Sequence, residues 1–549
     1  MKDSSKVFGI DLGTTYSCVS YVNERGYAEI VPNANGKRTT PSVVWFDAGR
    51  AIVGDEAKEA TKVFPLDVCQ YVKRSIGDAS YFAKYGGVSY SPEEISSFIL
   101  RKLAQDASET LGERVKDVVI TCPAYFFVKE RNATRRAGEL AGLNVLQIVN
   151  EPTSAAIAYG FNAEEDKTIL VYDLGGGTFD ATTIRFSKES VDVLFTDGDH
   201  RLGGKDWDDR LVQIVAERFR DGTGVEDDLL DSQEATSELA LVAETAKRQL
   251  SEREKTSIRF TYRGESARFE LTRAEFEEAT SDLLNKTIAF ARDIERRTRA
   301  SGYGIDEILL VGGSSKMPAV AKRLEEEFGL KPRLFEPDEA VARGAAIIGN
   351  NVRLRELVEE KIKTSKGKRA ELTLDEAFDA VASESGYTLE TVKKSTRAVR
   401  NVSSKSFGVD LLHGTLDEER TFNLIYKNAP LPAEGETVAG TSVANQSFCV
   451  FRLRENTFAR GDFDDADGLA IDPNDPPLWE GELELPNKKL PKNSPIKVTF
   501  KLNEEGRLEA TCADMTSGKF ITAVVETSAN ASESEKKRQK KRCELVVVE

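Results

Sequence analysis

Hydrophobic positions over roughly the first 350 residues follow two alternating rhythms. Short β-branched runs at 118–121, 168–172 and 307–311 predict buried strands. Longer stretches at 94–110, 237–251 and 273–301 carry the three-to-four-residue spacing of amphipathic helices. Strand and helix alternate, so this part reads as α/β. Another charged helix is expected at 353–364, followed by a polar segment, 366–404, with helical character over 374–392. After about residue 406 the texture changes to short alternating segments broken by Gly, Pro and Asn. That pattern predicts an all-β domain, with KLNEEGRLEAT as a hairpin. The last stretch, SESEKKRQKKRCELVVVE, places a basic cluster before a short apolar tip.

One strand-turn pattern repeats. Gly9-Ile10-Asp11-Leu12-Gly13-Thr14-Thr15 returns as Val171-Tyr172-Asp173-Leu174-Gly175-Gly176-Gly177-Thr178. A third glycine turn, Val311-Gly312-Gly313-Ser314-Ser315, follows another strand run. One such turn alone is an ordinary β-turn with a helpful Asp. Two copies and a third turn suggest a duplicated domain with two facing phosphate loops. Glycine lets backbone N–H groups turn toward a phosphate with no Cβ in the way, and Thr hydroxyls add donors. Mg²⁺ takes hard oxygen ligands, so Asp11 and Asp173, each at a strand end beside a glycine turn, are the candidate metal residues.

DLGTTYS (11–17), NEPTSAAIAYG (150–160), VYDLGGGTFD (171–180), LLVGGSSKMP (309–318) and EPDEAVARGAA (336–346) stand in one order. Together with ITCPAYF (120–126), RLGGKDWDDR (201–210) and ETAKRQLS (244–251), they closely resemble the 70-kDa heat-shock chaperones of the DnaK type. The resemblance covers 6–350 almost continuously. It implies an actin-like, ribonuclease H-like duplicated α/β ATPase followed by an all-β sandwich. The implied divisions are an ATPase domain at 1–350, a helical polar linker with insertion at 351–405, a sandwich at 406–528 and a charged tail at 529–549.

The resemblance also implies roles. Gly13, Thr14, Thr15, Tyr16, Gly175, Gly176, Gly177 and Thr178 would hold phosphate, with Gly203 and Gly204 nearby. Glu244, Lys247 and Ser251 would hold the adenosine from one side; Gly312, Gly313, Ser314 and Lys316 would face them, with Asp338 near the ribose or hinge. Phosphoryl transfer is largely positioning and charge neutralisation. Lys73 would meet the γ-phosphate, and Glu151, Asp180, Asp173 and Thr178 would orient or deprotonate the attacking water. Pro123 and Arg131 match the family's relay between domains. SFGVDLL (406–412), Ala444-Asn445-Gln446-Ser447 and 498–519 resemble the family's peptide-binding sandwich. Val409, Leu412, Cys449 and Phe451 would line its pocket for an extended apolar peptide. The implied ligands are ATP and Mg²⁺, with K⁺ as a further ion. The implied partners are unfolded polypeptides, a J-domain co-chaperone and a nucleotide-exchange factor.

The chain departs from the family in places. It stops at 549, short of the helical lid, so fast and weak peptide exchange is expected. The usual apolar linker is replaced by STRAVRNVSSK at 395–405, which puts interdomain coupling in question. Lys316 stands where arginine is usual, and the loop before Tyr85 is short. These departures keep open a nucleotide-binding regulatory protein for one dedicated client; two phosphate loops alone also permit a sugar kinase.

Composition narrows the field. Hydrophobic residues make up 40% and charged residues 31% of the 549, as in soluble globular proteins. A net charge of −16 argues against nucleic acid or anionic lipid as partners. Six scattered cysteines contain no CxxC pair, and two histidines, His200 and His413, are too few for a histidine cage. No apolar stretch approaches the ~18 residues of a membrane span, and the start lacks a signal-peptide core, so a cytoplasmic setting is expected. The acidic 462–475 loop fails the calcium-loop pattern at Phe463 and Asn474. The KKRQKKR run at 536–542 reads as a solvated charge run.

Overall fold

The computed structural model describes residues 6–160, 166–188, 190–365, 371–414, 416, 418–485, 490–504, 506–524 and 533–549. Two mixed sheets with one strand pattern form the first half. The first runs in the order Asn144–Asn150, Asp117–Cys122, Val7–Asp11, Tyr16–Val22, Ala28–Val31. The second runs Arg333–Leu334, Glu307–Val311, Lys167–Leu174, Phe179–Phe186, Ser190–Asp199. In both, the first three strands are parallel and the next two antiparallel. The echo in the sequence is therefore a duplication in space. Each central strand, Val7–Asp11 or Lys167–Leu174, is buried along nearly its whole length, which explains its continuous apolar run.

Two helices cross between the lobes: Glu151–Gly160 and Ala340–Ser365. Their close approach depends on Gly344, where an added Cβ would collide with the Ser154 backbone carbonyl. Gly349 has no room either, since a Cβ there would come within 2.5 Å of Val7. The long helix continues through residue 350, so the expected boundary there falls inside an element. Packing carries it past the glycine-rich face: Leu354 and Val358 are buried against Ala377, Phe378, Val381 and Val392. Residues 371–395 of the polar segment are thus packed against this helix and the first lobe, with 366–370 outside the described residues.

The helical spacing at 273–301 and 374–392 hid two breaks. Thr280 leaves the helical conformation, giving Arg273–Ala279 and Ser281–Ala300. Gly386 takes a left-handed φ of 79° after Leu374–Ser385, and Leu389–Ser395 begins afresh. The predicted hairpin is present as Pro495–Leu502 paired with Leu508–Asp514.

The all-β part is a sandwich. A five-stranded sheet contains Glu419–Ile425, Ser406–Leu412, Phe448–Asn456 and Trp479–Glu484. A four-stranded sheet contains Ala433–Gly440, Pro495–Leu502, Leu508–Asp514 and Phe520–Val524. Phe451, Phe500, Leu453, Ile496 and Leu508 fill the space between them. The sandwich rests on the first half. Val128 of the first lobe belongs to its apolar core, and Glu455 accepts the Val128 N–H at 3.2 Å. Lys427 pairs with Asp197 of the second lobe at 2.8 Å.

The linker expectation needs correction. Ala398–Arg400 adds to the second sheet as a sixth strand, parallel to Ser190–Asp199. Strand addition uses backbone groups and does not require the family's apolar side chains. The basic run at 536–542 is not wholly solvated either: Arg542 forms an ion pair with the buried Glu94. No helix among the described residues is long and apolar enough to cross a membrane.

Candidate nucleotide site between the lobes

The strand ends carrying Asp11 and Asp173 face each other across a cavity of about 540 Å³. Its wall includes Asp11, Gly13, Thr14, Thr15, Tyr16, Lys73, Glu151, Asp173, Gly175, Gly176 and Thr178. The other end includes Glu244, Lys247, Ser251, Gly312, Gly313, Ser314, Lys316 and Asp338. Residues drawn from six separate motifs, together with Lys73, thus meet in one cavity.

The glycine turns are shaped by contacts that leave no room for side chains. A Cβ on Gly177 would come within 2.5 Å of Thr14, and one on Gly176 would strike Thr15. The two phosphate loops therefore interlock across the lobes. Gly312 has φ 80° and packs against Leu174 and Asp173. Gly203 and Gly204 do not line the cavity. They brace the loop: a Cβ on Gly203 would lie 2.6 Å from the Gly177 backbone, and Gly204 N–H donates to the Gly175 carbonyl at 2.9 Å. Gly177 is likewise off the wall, and its carbonyl accepts from Arg74 Nε at 3.1 Å.

Charge at the cavity floor is unbalanced. Lys73 and Glu151 form a buried ion pair at 2.5 Å. Burial opposes the Lys73 charge, but Glu151 and Asp11 outweigh it and hold its pKa above the ordinary value. Burial first, then Glu151, pushes Asp11 up to about 7, while Lys73 and a 3.1 Å hydrogen bond from Thr121 pull the other way. Burial and Glu151, with Asp180 and Asp11 behind them, drive Asp173 well above its usual range. One lysine facing this cluster of carboxylates leaves an excess of desolvated negative charge. Hard oxygen donors in that state fit a divalent cation such as Mg²⁺.

Asp180 is the candidate that the structure moves away from the cavity. It accepts the Tyr125 N–H at 3.0 Å and sits under the turn after Pro123; burial and Glu151 raise it to about 7. Arg131 beside that turn donates to Asn150 at 2.6 Å, next to Glu151 in the chain. The turn's other face meets the sandwich, where Lys405 Nζ lies 3.0 Å from the Tyr125 ring centroid.

Glu244, Lys247 and Ser251 fall on one face of the helix Gln233–Glu252, as their spacing requires. Lys58 of the first lobe reaches Glu244 at 2.7 Å, so the two lobes are bridged over the cavity. Lys316 and Asp338 form an ion pair at its edge. Six wall residues escaped the sequence reading: Asp208, Arg248, Glu252, Met317, Pro337 and Val341. Asp208 binds Lys247 at 2.7 Å, and its buried Oδ1 has no partner among the described residues. Its motif, RLGGKDWDDR, was visible, but which of its acidic residues turns inward depends on helix phase after the glycine pair.

The four sandwich candidates do not form one pocket. Val409 and Phe451 are 1% and 2% exposed in the core, with Cys449 packed against it. Leu412 lies at the opposite parity of its strand and is 51% exposed.

Comparison with known proteins agrees with this arrangement. The family profile described as Hsp70 protein matches residues 7–84 and 78–360. The chain is 33% identical over 539 residues to the chaperone protein DnaK of each of two Halobacterium salinarum strains. That alignment covers 97% of this chain and 77% of each relative. With the duplicated lobes, the shared cavity and the docked sandwich, these matches show that the chain belongs to the Hsp70 family.

Proposed function

We propose that this protein is an ATP-dependent chaperone in which hydrolysis in the interlobe cavity governs polypeptide binding by the sandwich. The buried Lys73–Glu151 pair between two interlocked glycine turns carries the reading. The turns with Thr14, Thr15 and Thr178 supply N–H and hydroxyl donors to the phosphates. Glu244, Lys247 and Ser251 take the adenosine on one side; Gly313, Ser314 and Lys316 take it on the other, with Asp338 toward the ribose. When ATP enters, Lys73 turns from Glu151 toward the γ-phosphate and offsets its charge. Glu151, released from its partner, and Asp173 orient the attacking water and accept its proton. Asp11 and Asp173 would hold Mg²⁺, which supplies charge neutralisation at the phosphates when bound. Asp180 holds the 123–126 turn and acts through position rather than chemistry.

Extended apolar polypeptide is the client class that membership of the family supports. A J-domain partner, an exchange factor, K⁺ in the cavity and a cytoplasmic location belong to the same reading. Single-turnover hydrolysis of ATP tests it. Lys73→Ala is expected to lower the rate by at least 100-fold while retaining nucleotide. A variant as fast as the parent removes Lys73 from the mechanism. Peptide that leaves turnover unchanged would separate the two domains functionally.

A further inference from the structure

The helix Glu533–Leu545 and the strand Val547–Val548 lie on the first lobe, more than 400 positions from the residues they touch. Arg542 makes a two-pronged ion pair with Glu94, whose carboxylate is fully buried. Cys543 is 0% exposed and joins Val546 and Val548 in the core that holds Phe8, Phe98 and Val118. Arg101 donates to the carbonyls of Cys543 and Val546 at 2.8 and 3.1 Å. Val547 and Val548 pair in parallel with Arg50 and Ala51. Val53 N–H donates to the Glu549 carbonyl at 2.8 Å, and Glu549 N–H to the Ala51 carbonyl at 3.1 Å. The segment is therefore an integral strand of a small sheet with Arg50–Val53, Val44–Asp47 and Val68–Cys69. Without it, Arg50–Val53 would present an open edge and Glu94 a buried carboxylate lacking its arginine.

This gives the sandwich an anchor on each lobe. Before it, Ala398–Arg400 is an edge strand of the second lobe. After it, eight residues, 525–532, lead to the segment seated on the first lobe. Eight residues span at most roughly 30 Å, so a seated segment keeps the sandwich close. Nothing the segment touches through these bonds lines the nucleotide cavity. A ligand shifts a contact only through a difference in its interaction with the two states.

We propose that residues 542–549 are a clasp that keeps the sandwich docked on the ATPase whichever nucleotide is bound. The nucleotide reading enters only through the ligands used to test it. Amide hydrogen exchange on the full chain follows the clasp at Val53 and Glu549, and the domain interface at Val128 and Thr196, whose N–H groups meet Glu455 and Asn428. In the parent, nucleotide-free, ADP-bound and ATP-bound protein should show rates at Val53 and Glu549 equal within about threefold. A tenfold rise with either nucleotide overturns the proposal. In the double variant Arg542→Ala, Val548→Asp, all three remaining reporters, Val53, Val128 and Thr196, should exchange at least tenfold faster. Release of Val53 with Val128 and Thr196 still protected also overturns it. Val119 and Ile120 in the strand Asp117–Cys122 report whether the variant is folded; if it is not, the parent's three states decide. Absence of any nucleotide binding would defeat the nucleotide reading, and the variant comparison would still judge the clasp.

Discussion

Individual residues in this protein carry electrostatic costs that can be measured one at a time. Lys405 is 1% exposed, and its ammonium has no hydrogen-bond partner among the described residues. It rests on the Tyr125 and Phe127 rings instead, and burial lowers its pKa to about 7. A fall from 10.5 corresponds to roughly 5 kcal/mol. The ring contacts return about 2 kcal/mol at most. Desolvation therefore wins, and Lys405→Leu should stabilise the docked protein by about 1–3 kcal/mol in thermal unfolding. Glu455, opposite, is raised by burial to about 8 from 4.5. Between those values the folded state holds a proton that the unfolded chain has lost, so stability falls as pH rises from 4.5 to 8. Glu455→Gln keeps an acceptor for the Val128 N–H and removes that fall. Its Tm advantage over the parent should grow from pH 5 to pH 8; an advantage that shrinks would refute the assignment. Asp173 is raised as well, by burial first and then by Glu151, Asp180 and Asp11 around it. Asp173→Asn should raise the Tm of the nucleotide-free protein while abolishing turnover, since it removes both the repulsion and a carboxylate proposed above to hold Mg²⁺.

Elements show where the sequence could be read and where it could not. Strand ends with Asp and glycine were legible because a phosphate cradle is local: its Gly, Asp and Thr lie within eight residues, as in 171–178. The face of Gln233–Glu252 was legible from helical spacing. Gly203 and Gly204 were recognised, but their role as braces was not, because it depends on contact with Gly177 and Ser314 in distant loops. The break at Thr280 was hidden because its side chain caps nothing: the hydroxyl donates back to the Phe276 carbonyl, as a mid-helix threonine's does, and the apolar spacing continues. Pairing of Ala398–Arg400 was hidden for a different reason: a ladder of backbone bonds leaves no mark on side-chain identity. Val399→Pro tests that ladder. Proline cannot donate and is tolerated only at selected edge positions. Basal ATP turnover should persist, and its response to peptide should drop at least fivefold.

At the scale of the whole molecule, the two lobes close on one ligand site and should unfold together when it is filled. Nucleotide at 100 times its Kd should stabilise that unit by about 2.7 kcal/mol, visible as a rise in Tm. The same addition to Asp11→Asn should give a smaller rise in the presence of Mg²⁺, because one of the two carboxylates proposed to hold the metal is gone. A rise equal to the parent's would place the metal elsewhere.

The strand that pairs residue 53 with residue 549 also has a consequence for synthesis. A ribosome adds roughly 5–20 residues per second. The first lobe's small sheet has three of its strands once Cys69 has emerged, yet must wait for nearly 480 more residues for the fourth. That interval is roughly half a minute to a minute and a half. Throughout it the Arg50–Val53 edge stays open and Glu94 lacks its arginine. The first lobe to be synthesised is therefore the last to be completed, and in that interval it carries an open strand edge of its own.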